Sequence, residues 1–262
     1  MINIVKRTTT KNTTALANRK IEYIVLHYTA GTSSKKGKAE AIATYFATQN
    51  NASADFIVDD ETIVQYNGDI ENRYTWAVGG SKYTSLSTSQ GGTFYKKCTN
   101  INSISIEMCS NKSTTKSLNA TDTDWYFTDA TINKAVELVK YLMDKYEIDI
   151  NHVIMHHHVT GKICPNPWCV TEDRLTIWNN FKAKCAGTAT SATTVSAATA
   201  DSSYKVQVTA NVLNVRKGAG TNYAVTAQIK DKGVYTIIET NGNWGKLKSG
   251  TGWICLDYTK RV

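Results

Sequence analysis

The sequence predicts an α/β domain, a mixed central β-sheet flanked by helices, followed by a small all-β barrel. Three observations carry that expectation. Up to residue 186, short β-branched runs alternate with segments of helical period. From residue 204 onward there are only short strand-like runs separated by glycine-containing turns. Between them, residues 187–203 are almost wholly Ala, Thr and Ser, with no aromatic side chain. Such a segment cannot bury enough surface to order itself. The expected boundaries are therefore 1–186, a linker at 187–203, and 204–262.

In the first domain, residues 21–28 read as a short buried strand, with Tyr23, Ile24, Val25 and Leu26 in succession. Residues 38–49 place Ala39, Ile42 and Phe46 at helical spacing. Residues 55–59 and 62–66 are β-rich runs around Asp60-Glu61, the pattern of a hairpin. Residues 101–108 give another strand. Ile132, Val136, Val139, Met143 and Tyr146 mark one apolar face of a long helix, and residues 151–155 return to strand. Thr171 is the expected cap of a last helix, with Glu172 and Asp173 in its first turn and Leu175, Trp178 and Phe181 facing inward. In the second domain, strands are expected near 205–209, 212–215, 224–229, 235–239, 244–248 and 252–256.

Composition narrows the function. With 41% hydrophobic and 20% charged residues the chain is globular, and two prolines exclude a proline-rich fibre. No apolar run approaches the roughly 18 residues a membrane span needs. No apolar stretch follows the basic Lys6 and Arg7, so the expectation is a protein without a Sec-type export route of its own. The net charge of +8 is uneven. Residues 1–186 hold 21 Lys and Arg against 18 Asp and Glu, whereas residues 203–262 hold 9 against 3. A basic C-terminal module suits a polyanionic partner: nucleic acid, an anionic membrane or an anionic wall polymer. It equally suits plain solubility, and charge does not choose. Six scattered cysteines are too few for a disulfide framework, and Cys109 and Cys255 read as small hydrophobes in strand-like runs.

Three residues stand apart. His27 closes the first apolar strand, His156 closes a later one, and Cys164 follows eight residues on. Strand ends present side chains at a sheet edge, where sites assemble. Imidazole and thiolate are ligands that zinc prefers, and three protein ligands with an open fourth position mark a hydrolytic zinc site. His157 and His158 leave the choice of the second imidazole open. On an extended segment, His156 and His158 would share one face and His157 the other.

The surrounding residues resemble a family. Residues 24–31 (IVLHYTAG), 102–108 (NSISIEM) and 156–165 (HHHVTGKICP) resemble motifs of the zinc-dependent N-acetylmuramoyl-L-alanine amidases related to phage lysozyme-amidases and to peptidoglycan recognition proteins. The resemblance spans about residues 20–182. It implies that His27, His156 and Cys164 hold Zn2+, that Glu107 is the general base, and that Lys162 donates to the oxyanion. It also implies that the register of the last motif selects His156. Some relatives carry a Tyr near the second strand where this chain has Ser53-Ala54-Asp55; Glu107 is expected to take that role. Many relatives also have a His after the Ala-Trp pair, where this chain reads Trp76-Ala77-Val78. Trp76 either packs on ligand or fills the core. Residues 213–223 (LNVRKGAGTNY) resemble the signature of bacterial SH3-like wall-binding domains. Tyr223, Trp244, Trp253 and Tyr258 are candidate wall contacts there, with core the expected role for at least half of them. Together the resemblances imply a peptidoglycan hydrolase of the endolysin or autolysin kind, acting on bacterial peptidoglycan and anionic wall polymers. A non-catalytic peptidoglycan sensor is the alternative. A nucleic-acid binder is not expected, because it accounts for the charge but not for the zinc pattern.

Overall fold

The structure, a computed structural model, describes residues 2–49, 51–84, 86–187, 203–218, 223–241 and 244–262. The chain divides into two compact units, Met1–Ala189 and Thr190–Val262. The segment expected to be the linker, 187–203, lies outside the described residues except for Gly187 and Ser203.

The first unit runs β1 (Val5–Thr9), β2 (Thr13–Ala15), β3 (Tyr23–Tyr28), α1 (Lys38–Thr48), β4 (Phe56–Val58), β5 (Ile63–Asn67), β6 (Arg73–Thr75), β7 (Ser103–Met108), β8 (Asn111–Lys112), β9 (Trp125–Tyr126), α2 (Asp129–Tyr146), β10 (Val153–Met155), α3 (His156–Thr160), α4 (Asn166–Cys169) and α5 (Leu175–Ala186). Six strands form one mixed sheet in the order β1-β5-β4-β7-β3-β10. The neighbours β4, β7, β3 and β10 are parallel, while β4 and β5 form the expected antiparallel hairpin. Parallel strands are buried on both faces, which is why Ile24, Val25 and Leu26 run as an unbroken apolar series rather than alternating.

The hairpin tip fixes the starts of α1 and α2. Asp59 accepts the Ala39 amide at 3.0 Å, supplying the cap that Gly37 has no side chain to give. Asp60 accepts the hydroxyls of Ser34, Thr128 and Thr131, and Thr128 in turn caps α2. Burial pushes the Asp60 carboxyl up, but these hydrogen bonds outweigh it and hold the group below its ordinary pKa.

Two expectations are corrected here. The buried stripe of α2 is Thr131, Ala135, Leu138, Val139 and Leu142; Ile132, Val136, Met143 and Tyr146 only flank it. Those four side chains are partly buried and pack against the core from the edges of the stripe. Thr171 makes no capping bond, and a 3-10 turn over Glu172–Arg174 precedes α5. Glu172 instead accepts from the Ser89 amide and hydroxyl. The inward residues of α5 are as expected: Trp178 and Phe181 stack with rings 5.6 Å apart, against Trp168.

The second unit holds β11 (Tyr204–Val208), β12 (Leu213–Arg216), β13 (Val225–Ile229), β14 (Val234–Asn241), β15 (Trp244–Leu247), β16 (Trp253–Cys255) and β17 (Thr259–Arg261). Every pairing is antiparallel, in the order β13-β12-β16-β15-β14-β11-β17. One core gathers Val206, Val208, Leu213, Val215, Ile229, Ile237, Leu247 and Ile254. The four aromatic candidates correct the expectation that half of them fill this core: Tyr223 and Tyr258 are exposed, and Trp244 and Trp253 are half-buried. Part of the LNVRKGAGTNY signature, residues 219–222, lies outside the described residues. Among the described residues no helix is long and apolar enough to cross a membrane.

Candidate metal centre

The site forms where β7, β3 and β10 end side by side. Ends of parallel strands are where open α/β sheets place their sites. His27 is the penultimate residue of β3 and Glu107 the penultimate residue of β7. The two are register partners, so their side chains leave the same face of the sheet. Beside β3, β10 ends at Met155 and the chain turns directly into α3. The Met155 amide is accepted by Nδ1 of His158 at 2.9 Å, which steadies that abrupt start. The short helix then closes at Gly161, with a φ of +83°. It is the positive φ that calls for glycine there, since the nearest atom to a Cβ would be the free end of the exposed Leu86 side chain. A tight turn, the Cys164 amide on the Lys162 carbonyl at 2.8 Å, then brings Cys164 under the two imidazoles.

Candidate ligand atoms of His27, His156 and Cys164 all lie within 4.8 Å of one another. His27 Nδ1 stands 3.8 Å from Cys164 Sγ, and the two imidazole centroids are 4.7 Å apart. Their exposures are 2%, 5% and 3%, so this is an enclosed cluster rather than a chance surface grouping. Nε2 of His27 lies 3.3 Å from Ser105 Oγ, which leaves Nδ1 for the cluster. Both ring nitrogens of His156 and Oε2 of Glu107 are buried without a hydrogen-bond partner. A buried polar atom left this way costs about 1–3 kcal/mol. Concentrating three such atoms beside a thiol makes sense if they serve a cation and a reacting group. The donor set, two imidazoles and one thiol, fits zinc.

Electrostatics agree with that fit. Burial, then the neighbouring His156 and Lys162, pushes His27 well below its ordinary pKa. Burial and Lys162 take His156 down to about 3. Both rings are therefore neutral, the form that ligates a metal. Burial and the Glu107 charge push the Cys164 thiol up to about 12, so its proton is the one that a divalent cation must displace. Burial raises Glu107 to about 7, against the opposing pull of Lys162. Lys162 itself is exposed, two residues before Cys164, and its charge reaches His27, His156, Glu107 and Cys164.

The structure thus brings His27, His156, Cys164 and Glu107 together. It corrects the expectation for the three histidines. Residues 156–160 are helical, so the side chains fan out at about 100° steps rather than alternating. His157 Nδ1 meets the Lys162 carbonyl at 2.9 Å and its Nε2 meets Thr88 at 2.8 Å; His158 meets Gln90 at 2.7 Å. The motif did not single out these partners, because Thr88 and Gln90 are polar loop residues far from it in sequence. Asp55 was also missed. It is fully buried and accepts from Asn67, Thr75 and the Ser105 amide, and so fixes the strand beneath the cluster. Trp76 does not fill the core: it is 40% exposed, with its indole N–H on Thr14 at 2.9 Å.

Against known proteins, the N-acetylmuramoyl-L-alanine amidase family model matches residues 17–167, more than half of the chain. The chain belongs to this amidase family. The bacterial SH3 domain family matches residues 211–260. The N-acetylmuramoyl-L-alanine amidase CwlL of Bacillus licheniformis is 30% identical over 210 residues, covering 76% of this chain and 49% of CwlL. The N-acetylmuramoyl-L-alanine amidase BlyA of Bacillus subtilis strain 168 is 26% identical over 176 residues, covering 64% of this chain and 42% of BlyA. The chain thus spans half or less of the length of these curated relatives. Among solved structures, PlyL is 26% identical with a TM-score of 0.49, covering 70% of this chain and 97% of PlyL. The PlyG catalytic domain is 24% identical with a TM-score of 0.50, covering 74% of this chain and 100% of that domain. The likeness to PlyG is one of fold.

Proposed function

We propose that this member of the amidase family hydrolyses the amide between N-acetylmuramic acid and L-alanine in bacterial peptidoglycan, using zinc, and that its C-terminal unit holds it on the wall. The observation that carries this reading is the enclosed His27–His156–Cys164 cluster with Glu107, its Oε2 buried and unpartnered, in register beside His27.

His27, His156 and Cys164 are the proposed ligands. Zinc bound there would supply Lewis acidity to the substrate carbonyl and acidify water. Glu107 is the base: at about 7 its pKa is matched to taking a proton at neutral pH and passing it to the leaving amine. Lys162 extends from the turn that carries Cys164 and donates to the oxygen that gains charge as the carbonyl carbon becomes tetrahedral. Ser105, set by Asp55, orients His27. The basic second unit matches anionic wall polymers in charge, and two attachments to one substrate raise local concentration. Storage in the cytoplasm until lysis belongs to the same proposal, and fractionation of expressing cells tests it.

Mass spectrometry of digested peptidoglycan tests the reaction itself. Free N-terminal alanine on intact glycan is the expected product. New reducing sugar ends would replace the amidase reading with a glycosidase. Binding without any cleavage would replace it with a recognition protein.

A further inference from the structure

His157 is left unused by the mechanism above, although it is fully buried and every polar atom it carries is engaged. Its amide donates to the Cys164 carbonyl at 2.7 Å. Its carbonyl accepts the Gly161 amide at 2.8 Å and the Gly92 amide at 3.0 Å. Its ring is the part that a different residue would not reproduce. Nδ1 lies 2.9 Å from the Lys162 carbonyl, which only accepts, so Nδ1 carries the proton. Nε2 must then accept, and the Thr88 hydroxyl, 2.8 Å away, is the donor. Thr88 is itself 4% exposed. The ring lies so close to Gly91 that a Cβ there would come within 3.0 Å of it. One neutral imidazole thus bridges the 88–92 segment and the Lys162–Cys164 turn.

That turn carries two functional groups. The Lys162 carbonyl takes both the Cys164 amide at 2.8 Å and the His157 ring at 2.9 Å. Without the ring, backbone bonds still hold Cys164, through its own amide on the Lys162 carbonyl and its carbonyl on the His157 amide, but the Lys162 carbonyl loses its only side-chain donor. We propose that His157 is a positioning residue for the metal centre: its imidazole, in the Nδ1–H tautomer fixed by Thr88, clamps the Lys162–Cys164 turn and so sets the place of the Cys164 sulfur. The inference rests on the amidase reading, with Cys164 as a ligand.

Three variants of the full chain test it: His157→Asn, His157→Gln and Thr88→Val. Asparagine places an N–H where Nδ1 stands; glutamine reaches toward Thr88 instead. The readouts are Co2+ and Zn2+ affinity by chelator competition, kcat and KM on wall fragments, and hydrogen exchange at the Cys164 amide in metal-free protein. Partners of this kind typically change metal affinity or activity 10–100-fold. His157→Gln should bind metal at least about tenfold more weakly, lose kcat with KM little changed, and expose the Cys164 amide to faster exchange. His157→Asn should recover most of each loss. Thr88→Val, which leaves the turn untouched, removes the donor to Nε2 while the Lys162 carbonyl still holds Nδ1–H, and should weaken metal binding only about threefold, less than the range for a direct partner. Wild-type affinity and exchange in folded His157→Gln, or an equal loss in His157→Asn, would overturn the clamp. If neither His157 variant folds, unchanged affinity in Thr88→Val would overturn it. A wild-type chain that binds no metal would instead sink the amidase reading, while the exchange experiment still decides the clamp.

Discussion

In the first unit, the proposed ligands and base are enclosed, with only Lys162 exposed: His27, His156 and Cys164 are at most 5% exposed, and the Glu107 carboxylate oxygen Oε2 is sealed in. In the second unit the charge lies outside: Lys205, Lys217, Lys230, Lys232, Lys248, Lys260 and Arg261 are all exposed. Away from water each interaction is strong and depends on sub-ångström placement. On the surface each is worth little, and salt screens it over about 10 Å at 0.1 M. A change in the first unit should therefore be all-or-none and local. A change in the second should be graded, additive and dependent on ionic strength.

The largest contrast is expected between two changes in the same cluster. Glu107→Ala should keep bound metal and lose about 10²–10⁴-fold in turnover, the range for a general base. Cys164→Ser should lose the metal as well. Metal analysis beside a wall-clearing assay separates them, and wild-type lysis by Glu107→Ala would remove that residue from the chemistry. Next comes Lys162→Met, which should cost about 10²-fold in kcat with metal content unchanged, as for loss of one oxyanion donor. A loss confined to KM would instead make Lys162 a substrate-binding group.

Asp60 tests scaffold rather than chemistry. Its folded pKa lies below the ordinary value, so its contribution is fully present above the unfolded pKa of about 4 and fades as pH falls through the folded one. Asp60→Asn should lose about 1–2 kcal/mol at neutral pH, as expected for hydrogen bonds to a charged group. It should also show less further loss on acidification than wild type. Parallel denaturation curves in acid for the two proteins would contradict the capping role. The smallest effect belongs to the second unit. Lys230→Glu with Lys232→Glu should weaken wall binding severalfold at low salt and leave it near wild type at high salt. A difference that persists at high salt would point to specific contacts.

The same contrast marks how much the sequence discloses. Strands β3, β4, β5 and β7 were legible because buried strands must be apolar. Strand β1, Val-Lys-Arg-Thr-Thr, was not: only one edge of it pairs, with β5 nearly sixty residues away, and its side chains are mostly exposed. Strands β2, β6, β8, β9 and β17 are two or three residues long, too short for a period to register. In the site, His27, His156 and Cys164 could be named because they are ligand types at strand ends and after a glycine, whereas Glu107 and Lys162 were named through the motif resemblance. The three histidines were a harder case. Whether 156–158 is strand or helix decides which rings share a face, and that depends on Gly161, His158 and the loop packed over them. The role of His157 depends on Thr88, sixty-nine residues upstream, and no local pattern announces it.

X-ray absorption at the zinc edge, on metal-loaded full-length protein, reaches the central claim most directly. Two imidazoles, one thiolate and one open position predict a single sulfur neighbour at about 2.3 Å and light-atom neighbours at about 2.0–2.1 Å, with the sulfur absent in Cys164→Ser. A zinc shell without sulfur in the wild type, or one unchanged by Cys164→Ser, would contradict it.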